Sequence, residues 1–224
     1  MSVSDLSAST QNYLKAVWTL GEWSDVPVTP SLIAERTELK LSSVSDAVRK
    51  LTAQGLLNHS PYGAVELTDT GRAYAVDMVR RHRLIETFLV RMLGYGWDQV
   101  HDEAEHLEHA VSDFMIARID DLLGHPTRDP HGDPIPLADG TIVSPDAVQL
   151  TQVIPGTRVT VERISDDEPA LLQFFEDRGI VLGARLLVRE GAPFSEAIDV
   201  LLEGEDQPIA LGKIAAEALY VSRD

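Results

Sequence analysis

The chain has no cysteine among its 224 residues. Disulfides and thiolate metal sites are therefore excluded, and any bound metal has to be held by nitrogen and oxygen. Long hydrophobic runs are also missing. Nothing approaches the ~18 apolar residues that a membrane span needs, and the opening MSVSDLSAST has neither the basic nor the apolar region of a secretory leader. These absences set the expectation of a cytoplasmic protein with no membrane partner. Basic residues are scarce too, 19 Lys and Arg against 36 Asp and Glu, for a net charge of −17. As a sum, that argues against nucleic acid. The distribution alters the reading: the first 72 residues are nearly balanced at −2, so −15 lies beyond them. The acidity belongs to the later segments, where a bound cation would offset part of it.

What is present is ordinary globular material, 44% hydrophobic and 25% charged. That suits one large domain or two to three small ones, and no internal repeat or low-complexity tract interrupts it. Residues 9–22 carry Tyr13, Leu14, Val17, Trp18 and Leu20 at helical spacing, with Ser9 or Thr10 as N-cap. A second, short helix starts at Thr29-Pro30, with proline at its first position, and ends near Glu38. A third, from about Ser42 to Gln54, aligns Val44, Ala47, Val48 and Leu51 and stops at Gly55. Two helices across a tight turn predict a helix-turn-helix. The strand-like runs 56–59 and 64–67, joined through Ser60-Pro61-Tyr62-Gly63, extend it to a winged helix. Helices are then predicted over about 72–94, 97–113 and 114–124. The third has an apolar face wide enough to pack on a partner subunit or within its own chain. Residues 125–147, rich in Pro, Gly and Asp, read as a connector. Beyond it TRVTVERI, ARLLVREG, AIDVLLEG and ALYVSRD alternate as strands around one helix that begins at Pro169 and ends at Gly179, a compact β-barrel-like domain.

The stretch that carries chemistry is HDEAEHLEH, His101 to His109. On a helix, His101, Glu105, Glu108 and His109 fall at i, i+4, i+7 and i+8, on one arc. Two imidazoles and two carboxylates there form a metal-ligand pattern that needs no thiol. His82 and Glu86 repeat the i, i+4 spacing upstream. Without metal, the same residues read as a solvated, salt-bridged face. His106 points elsewhere, to solvent. In the predicted DNA-reading helix, Ser42, Ser43, Ser45 and Asp46 occupy the turns that reach base edges. Arg49 and Lys50 are phosphate contacts or solvated surface, and Tyr62 at the wing tip touches DNA or covers the hairpin.

These pieces, read in order as winged helix, VRRHRLIETFL, VHDEAEHLEHAVSD and RDPHGDPIPLADG, resemble the DtxR/MntR family of metal-dependent transcriptional repressors. The C-terminal part is similar to that family's SH3-like, FeoA-like domain. The resemblance implies a mainly α fold with three domains: a winged helix-turn-helix over 1–74, a helical metal-binding and dimerisation domain over 75–142, and an SH3-like domain over 143–224. It further implies a homodimer that binds a palindromic operator in double-stranded DNA when loaded with Fe(II) or Mn(II). The primary site would then be Asn12, Glu105, Glu108 and His109. The second would be His82, Glu86 and His101 with an oxygen from Asp166, Asp167 or Glu168, three acids that otherwise read as helix caps. The iron branch places Met and Cys where this chain has Asn12 and Glu105, and the manganese branch places Asp and Glu. Glu105 thus points to the manganese branch, while Asn12 brings an amide oxygen without charge. Short manganese-branch members carry a Glu where Lys15 stands, and an ammonium there repels a second cation. The expected function is a Mn(II)-activated repressor of metal-uptake genes, with Fe(II), Co(II) and Zn(II) able to use the same ligands. The alternatives are an Fe(II)-responsive repressor and, from another class, a metal-dependent hydrolase. Against the last, the sequence has no HExxH, nucleophile elbow or phosphate-cradling loop.

Overall fold

The computed structural model describes residues 2–60, 63–192 and 194–223. The backbone packs as two compact units. The first takes residues 1–85, 105–125 and 136–142, and the second takes 86–104, 126–135 and 143–224.

In the first unit, helix α1 (Ala8–Glu22) is capped by Ser7, whose hydroxyl accepts from Thr10 N, rather than by Ser9 or Thr10. Before it, a short 3-10 turn (Val3–Asp5) is closed by a reciprocal Ser2–Asp5 capping box. Helix α2 (Pro30–Arg36) begins as expected, with Thr29 as cap and proline at N1. Helix α3 (Leu41–Ala53) has Lys40 at its N-cap and no side-chain cap bond. Strands β1 (Leu57–His59) and β2 (Val65–Leu67) pair antiparallel, Asn58 opposite Glu66. Val65 N also bonds to Val28 O at 2.8 Å, which ties the wing to the entry of α2. Leu14, Ile33, Val44, Leu51 and Leu57 close the core of this winged helix-turn-helix. Each fully buried aliphatic side chain there is worth about 1.5–3 kcal/mol relative to exposure.

Helix α4 (Asp69–Leu93) starts where Thr68 accepts from Gly71 N. Its run Arg80-Arg81-His82-Arg83, although polar, is buried throughout. Successive helical residues diverge by about 100°, and no two of these four share a partner among those named below. Arg80 holds Asp120 at 2.8 Å and the Pro136 carbonyl at 2.7 Å. Arg81 holds Asp113 and the Val111 carbonyl. His82 meets Glu108 at 2.6 Å, and Arg83 meets Glu22 at 2.5 Å. Helix α5 (Val100–Leu107) is much shorter than the predicted 97–113. Ser112 caps the next helix, α6 (Asp113–Leu123), through Met115 N, so residues 108–111 become a turn. Gly124 ends α6 in the left-handed region, as expected. Phe114, Met115 and Leu122 stand exposed on α6 while Ile116 and Ile119 are buried.

The second unit is an antiparallel six-stranded sheet in the order β3-β8-β4-β5-β6-β7. The strands are β3 (Val148–Gln149), β4 (Arg158–Ile164), β5 (Arg185–Glu190), β6 (Ile198–Leu202), β7 (Ile209–Leu211) and β8 (Leu219–Arg223). Helices α7 (Pro169–Glu176) and α8 (Lys213–Glu217) accompany them; β3, β7 and α8 are additions to the predicted elements. Phe175, Leu172, Ile164 and Leu150 lie fully buried at the centre of its core. Residues 126–135 are not a solvated connector. Asp129, His131, Asp133 and Ile135 are buried, Ile164 N bonds to the His131 carbonyl at 2.9 Å, and Arg163 bonds to Asp133 at 2.8 Å. The register of β4 on β8 slips between Val161 and Arg163, and such a bulge re-aims side chains.

Candidate metal centres

The primary group lies in the first unit. Helix α1 presents Gln11, Asn12 and Lys15; α4 presents His82; the end of α5 and the turn after it present Glu105, Glu108 and His109. Because α5 stops at Leu107, Glu108 and His109 belong to the turn, not to the continuous helical arc the spacing suggests. Glu108 is fully buried, with Oε2 2.6 Å from His82 Nδ1. Donor atoms of His82, Glu105 and Glu108 lie within 4.8 Å of one another. His82, expected in the second site, also belongs to this group. The Lys15 ammonium sits among them, 2.7 and 2.8 Å from the two Glu108 oxygens, 3.4 Å from His82 Nδ1, and in contact with Glu105.

Gln11 sets the His109 ring. Its amide nitrogen donates to the Val3 and Leu6 carbonyls, which leaves its oxygen 2.6 Å from His109 Nδ1. His109 then donates from Nδ1 and keeps the Nε2 lone pair available, the arrangement found behind metal-bound imidazoles. Asn12 Oδ1 is buried and has no hydrogen-bond partner among the described residues. An orphaned oxygen of that kind costs about 1–3 kcal/mol unless something supplies positive charge to it. The donor set of amide oxygen, two carboxylates and imidazole, with a cationic ammonium already lodged in it, fits a hard or borderline divalent ion.

A second group lies in the second unit. His101 Nδ1 is 2.9 Å from Asp166 and 3.5 Å from Glu86. Burial disfavours its charge, but the hydrogen bonds to Asp166 and Glu86 prevail and hold the imidazole up at about 10. Asp166 responds in kind: burial opposes ionisation, yet the bond to His101 and the nearby charges of His131 and Arg163 keep its carboxyl well below the usual range. Glu86, Asp129 and His131, all buried, bring donor atoms within 4.8 Å of one another. His131 bonds through Nε2 to the Trp97 carbonyl at 2.6 Å and stacks on the Trp97 ring, while its buried Nδ1 has no partner among the described residues. Burial lowers the basicity of His131, and the charges of Glu86, Asp129 and Asp166 more than restore it. Imidazoles whose basicity is raised by surrounding carboxylates mark a pocket that favours a cation. Of the three acids before α7, only Asp166 enters this group. Asp167 bonds to Ser165 at 2.8 Å, and Glu168 caps α7 through Ala170 N. Asp129 and His131 escaped the sequence reading because Pro, Gly and Asp mark a loop without saying that it is buried.

On α3, Ser42, Ser43, Ser45, Asp46, Arg49 and Lys50 are all exposed. Ser45 bonds back to the Leu41 carbonyl, and Arg49 pairs with Asp46 at 2.7 Å. Tyr62 lies outside the described residues. His106 is exposed, as expected. No helix among the described residues is long and apolar enough to cross a membrane.

Three family models cover the chain: the iron dependent repressor N-terminal DNA binding domain over residues 5–65, the iron dependent repressor metal binding and dimerisation domain over 68–137, and the FeoA domain over 148–223. The iron-dependent repressor IdeR of Mycobacterium leprae (strain TN) is 33% identical over 234 aligned positions, spanning 99% of this chain and 100% of its own. A solved manganese-dependent transcriptional repressor in complex with manganese is 51% identical, with a TM-score of 0.91 over 96% of this chain and 99% of its own. ScaR with bound Zn2+ is 32% identical, with a TM-score of 0.83 over the same shares.

Proposed function

The chain belongs to the iron-dependent repressor family of metal-dependent, DNA-binding transcriptional repressors, and on that premise we propose that it is a manganese-responsive repressor of metal-uptake genes. That family is not one of enzymes, so the hydrolase reading falls. Its partners are double-stranded DNA, a second copy of the chain and a divalent metal ion. The observation that carries manganese is the donor set: Glu105 and Glu108 with His82 around one lodged cation, in a chain without cysteine. Thiolate ligands favour softer ions, whereas carboxylates, amide oxygen and imidazole suit Mn2+. The 51% identity to a structure described as manganese-dependent, against 33% to the iron-named relative, supports the same side.

The primary ligands are Asn12, Glu105, Glu108 and His109, with His82 joining them. The second set is Glu86, His101, Asp166, Asp129 and His131. The reading head spans 1–74, the dimerisation helices 75–142 and the FeoA-like domain 143–224, and the protein acts on a palindromic operator in the cytoplasm. Asn12, Glu105, Glu108 and His109, with His82, would hold a dication whose positive charge would offset their carboxylates. Asn12 lies on α1, whose Tyr13, Leu14 and Val17 are part of the reading-head core. Glu108 and His109 lie on the turn between α5 and α6. Holding Asn12 against that turn fixes the reading head on the helices that pair the two subunits. A dimer reads two half-sites only when their heads are correctly spaced. A few kcal/mol in favour of that spacing is enough to switch operator occupancy. On α3, Ser42, Ser43, Ser45 and Asp46 face the base edges, and Arg49 and Lys50 face phosphate.

The experiment titrates metal-free protein with Mn2+, anaerobic Fe2+ and Zn2+ while following fluorescence anisotropy of a palindromic manganese-transporter promoter fragment. Activation at micromolar Mn2+ with much more Fe2+ required is the expected result. Equal or better response to Fe2+ overturns manganese, and tight binding without metal overturns the switch.

A further inference from the structure

Lys15 enters the sequence reading only as a charge that repels a second metal ion, yet it occupies the middle of the primary group. An ammonium has three donors. Here it faces both oxygens of Glu108 at 2.7 and 2.8 Å, the Glu105 carboxylate, and His82 Nδ1 at 3.4 Å. Its side chain is nearly buried, 11% exposed, and Glu108 is wholly so. The chain has four lysines, and the other three, Lys40, Lys50 and Lys213, are exposed.

These contacts use the very lone pairs that a metal ion would need. One carboxylate oxygen cannot give its best geometry to an ammonium and to a dication at once, and two cations a few ångströms apart repel. Lys15 also lies three residues after Asn12, one turn along the same face of α1. The oxygen of Asn12 is orphaned while the ammonium of Lys15 is fully engaged.

We propose that Lys15 is a tethered counter-ion that holds the primary donor set in the metal-free protein and is expelled when a divalent ion enters. Metal loading at this site is then an exchange of cations, not the filling of a vacant negative cluster. The inference rests on the reading of Asn12, Glu105, Glu108 and His109 as a metal site. Two consequences follow. The metal-free protein avoids a buried cluster of unpaired carboxylates, so its helices are already in place before metal arrives. And metal affinity is lower than the ligands alone would give, because each ion has to displace a cation that cannot diffuse away. In the exchange, the tie between α1 and the turn after α5 passes from Lys15 to Asn12.

The test combines a direct readout on the wild-type protein with an affinity measurement. Amine acylation read by mass spectrometry reports on each lysine, with Lys40, Lys50 and Lys213 as internal references. Lys15 is expected to resist labelling in the metal-free protein and to gain at least several-fold reactivity on saturation with Mn2+, while the references stay constant. Unchanged protection of Lys15 at saturating Mn2+ overturns the proposal. Separately, electron paramagnetic resonance of free Mn2+ gives the binding isotherms of wild type, Lys15→Met and Glu108→Gln. Removing the competing charge is expected to tighten the Glu108-dependent step by roughly tenfold or more. An unchanged or weaker step in a folded Lys15→Met protein means that Lys15 supports the site rather than competes for it, which also overturns the proposal. If Lys15→Met fails to fold, Lys15→Gln and the labelling experiment carry the same decision. Should the wild type show no Glu108-dependent step at all, the metal-site reading itself fails, an outcome distinct from failure of the exchange.

Discussion

Replacing Gly132 by alanine adds one methyl group at the point where the loop 126–135 crosses β4. Gly132 has φ +95°, a region that side-chain-bearing residues rarely adopt. The added carbon would stand 2.9 Å from Arg163 Cα and 2.9 Å from Leu182 Cδ2, and closer still to the Glu162 carbonyl oxygen. The loop has no freedom to withdraw. The His131 carbonyl accepts from Ile164 N at 2.9 Å, and Asp133 is bonded to Arg163 at 2.8 Å. Left-handed backbone costs a non-glycine residue about 1–2 kcal/mol, and overpacking against fixed neighbours about 1–3 kcal/mol. The sum, roughly 2–5 kcal/mol, is a large share of a domain stability of about 5–15 kcal/mol. With a urea dependence of about 2 kcal/mol per molar, the unfolding midpoint of the metal-free protein falls by ~1–2.5 M. Tryptophan fluorescence follows it, since Trp97 stacks on His131. The same displacement moves Asp129 and His131 away from Glu86, so equilibrium dialysis against Mn2+ shows one equivalent lost per chain while the primary equivalent remains. An unchanged midpoint refutes the packing argument. A lowered midpoint with full metal content refutes the assignment of Asp129 and His131 to the second site.

Three further outcomes follow from contacts already described. Glu108→Gln leaves Lys15 with Glu105 as its one carboxylate partner, so the metal-free protein loses about 3 kcal/mol, the lower end for breaking a buried pair; metal-dependent operator binding disappears, and survival of that binding in an anisotropy titration refutes the bridging role. Asp113 is held below the ordinary aspartate range by the Ser2 hydroxyl first, with burial opposing and Arg81 assisting. Its folded value is thus below the unfolded one, so its stabilisation is present above about pH 4 and is lost as the pH falls further; hydrogen-exchange protection factors in residues 3–5 should fall as the pH drops below about 4, and constant protection sinks the argument. Arg49→Ala removes an exposed cation from the reading helix and should weaken all operators alike, lowering the salt slope by about 1; a loss confined to one base position shows instead that Arg49 reads a base.

The winged helix was legible because its signals are local. Thr29-Pro30 starts α2, Gly55 ends α3, and the apolar spacing of Val44, Val48 and Leu51 names the buried face. The long α5 was a misreading of a signal that is also local: Ser112-Asp113 is a helix start, and it truncates the preceding helix at Leu107. The cap of α1 was one serine too far inward because Ser7, Ser9 and Thr10 all qualify by composition, and only Ser7 has extended backbone with Thr10 N in reach. For the sites, the i, i+4 spacing of His82 with Glu86 and of His101 with Glu105 picks out side chains that the structure gathers into clusters, but periodicity within one helix cannot say which side chains from different elements meet. His82 turned to Glu108, 26 positions away, and Lys15 met Glu105 and Glu108 across 90 and 93 positions. Asp129 and His131 had no periodic pattern to betray them. Their burial depends on β4 and Arg163, elements that follow them by some 30 residues.

The four-way divergence of Arg80, Arg81, His82 and Arg83 bears on how such sequences can drift. Their partners sit on α6, on the segment at Pro136, on the turn after α5 and at the end of α1. Deleting or inserting a single residue upstream in α4 would rotate all four by about 100°. Each guanidinium would then face its neighbour's carboxylate or none, and the imidazole would leave Glu108. No compensating change at one site could repair four misdirected pairs. Loops between helices can lengthen or shorten in descendants of this protein, but the count of residues along α4 cannot, and an alignment that needs a gap there is an alignment of a different molecule.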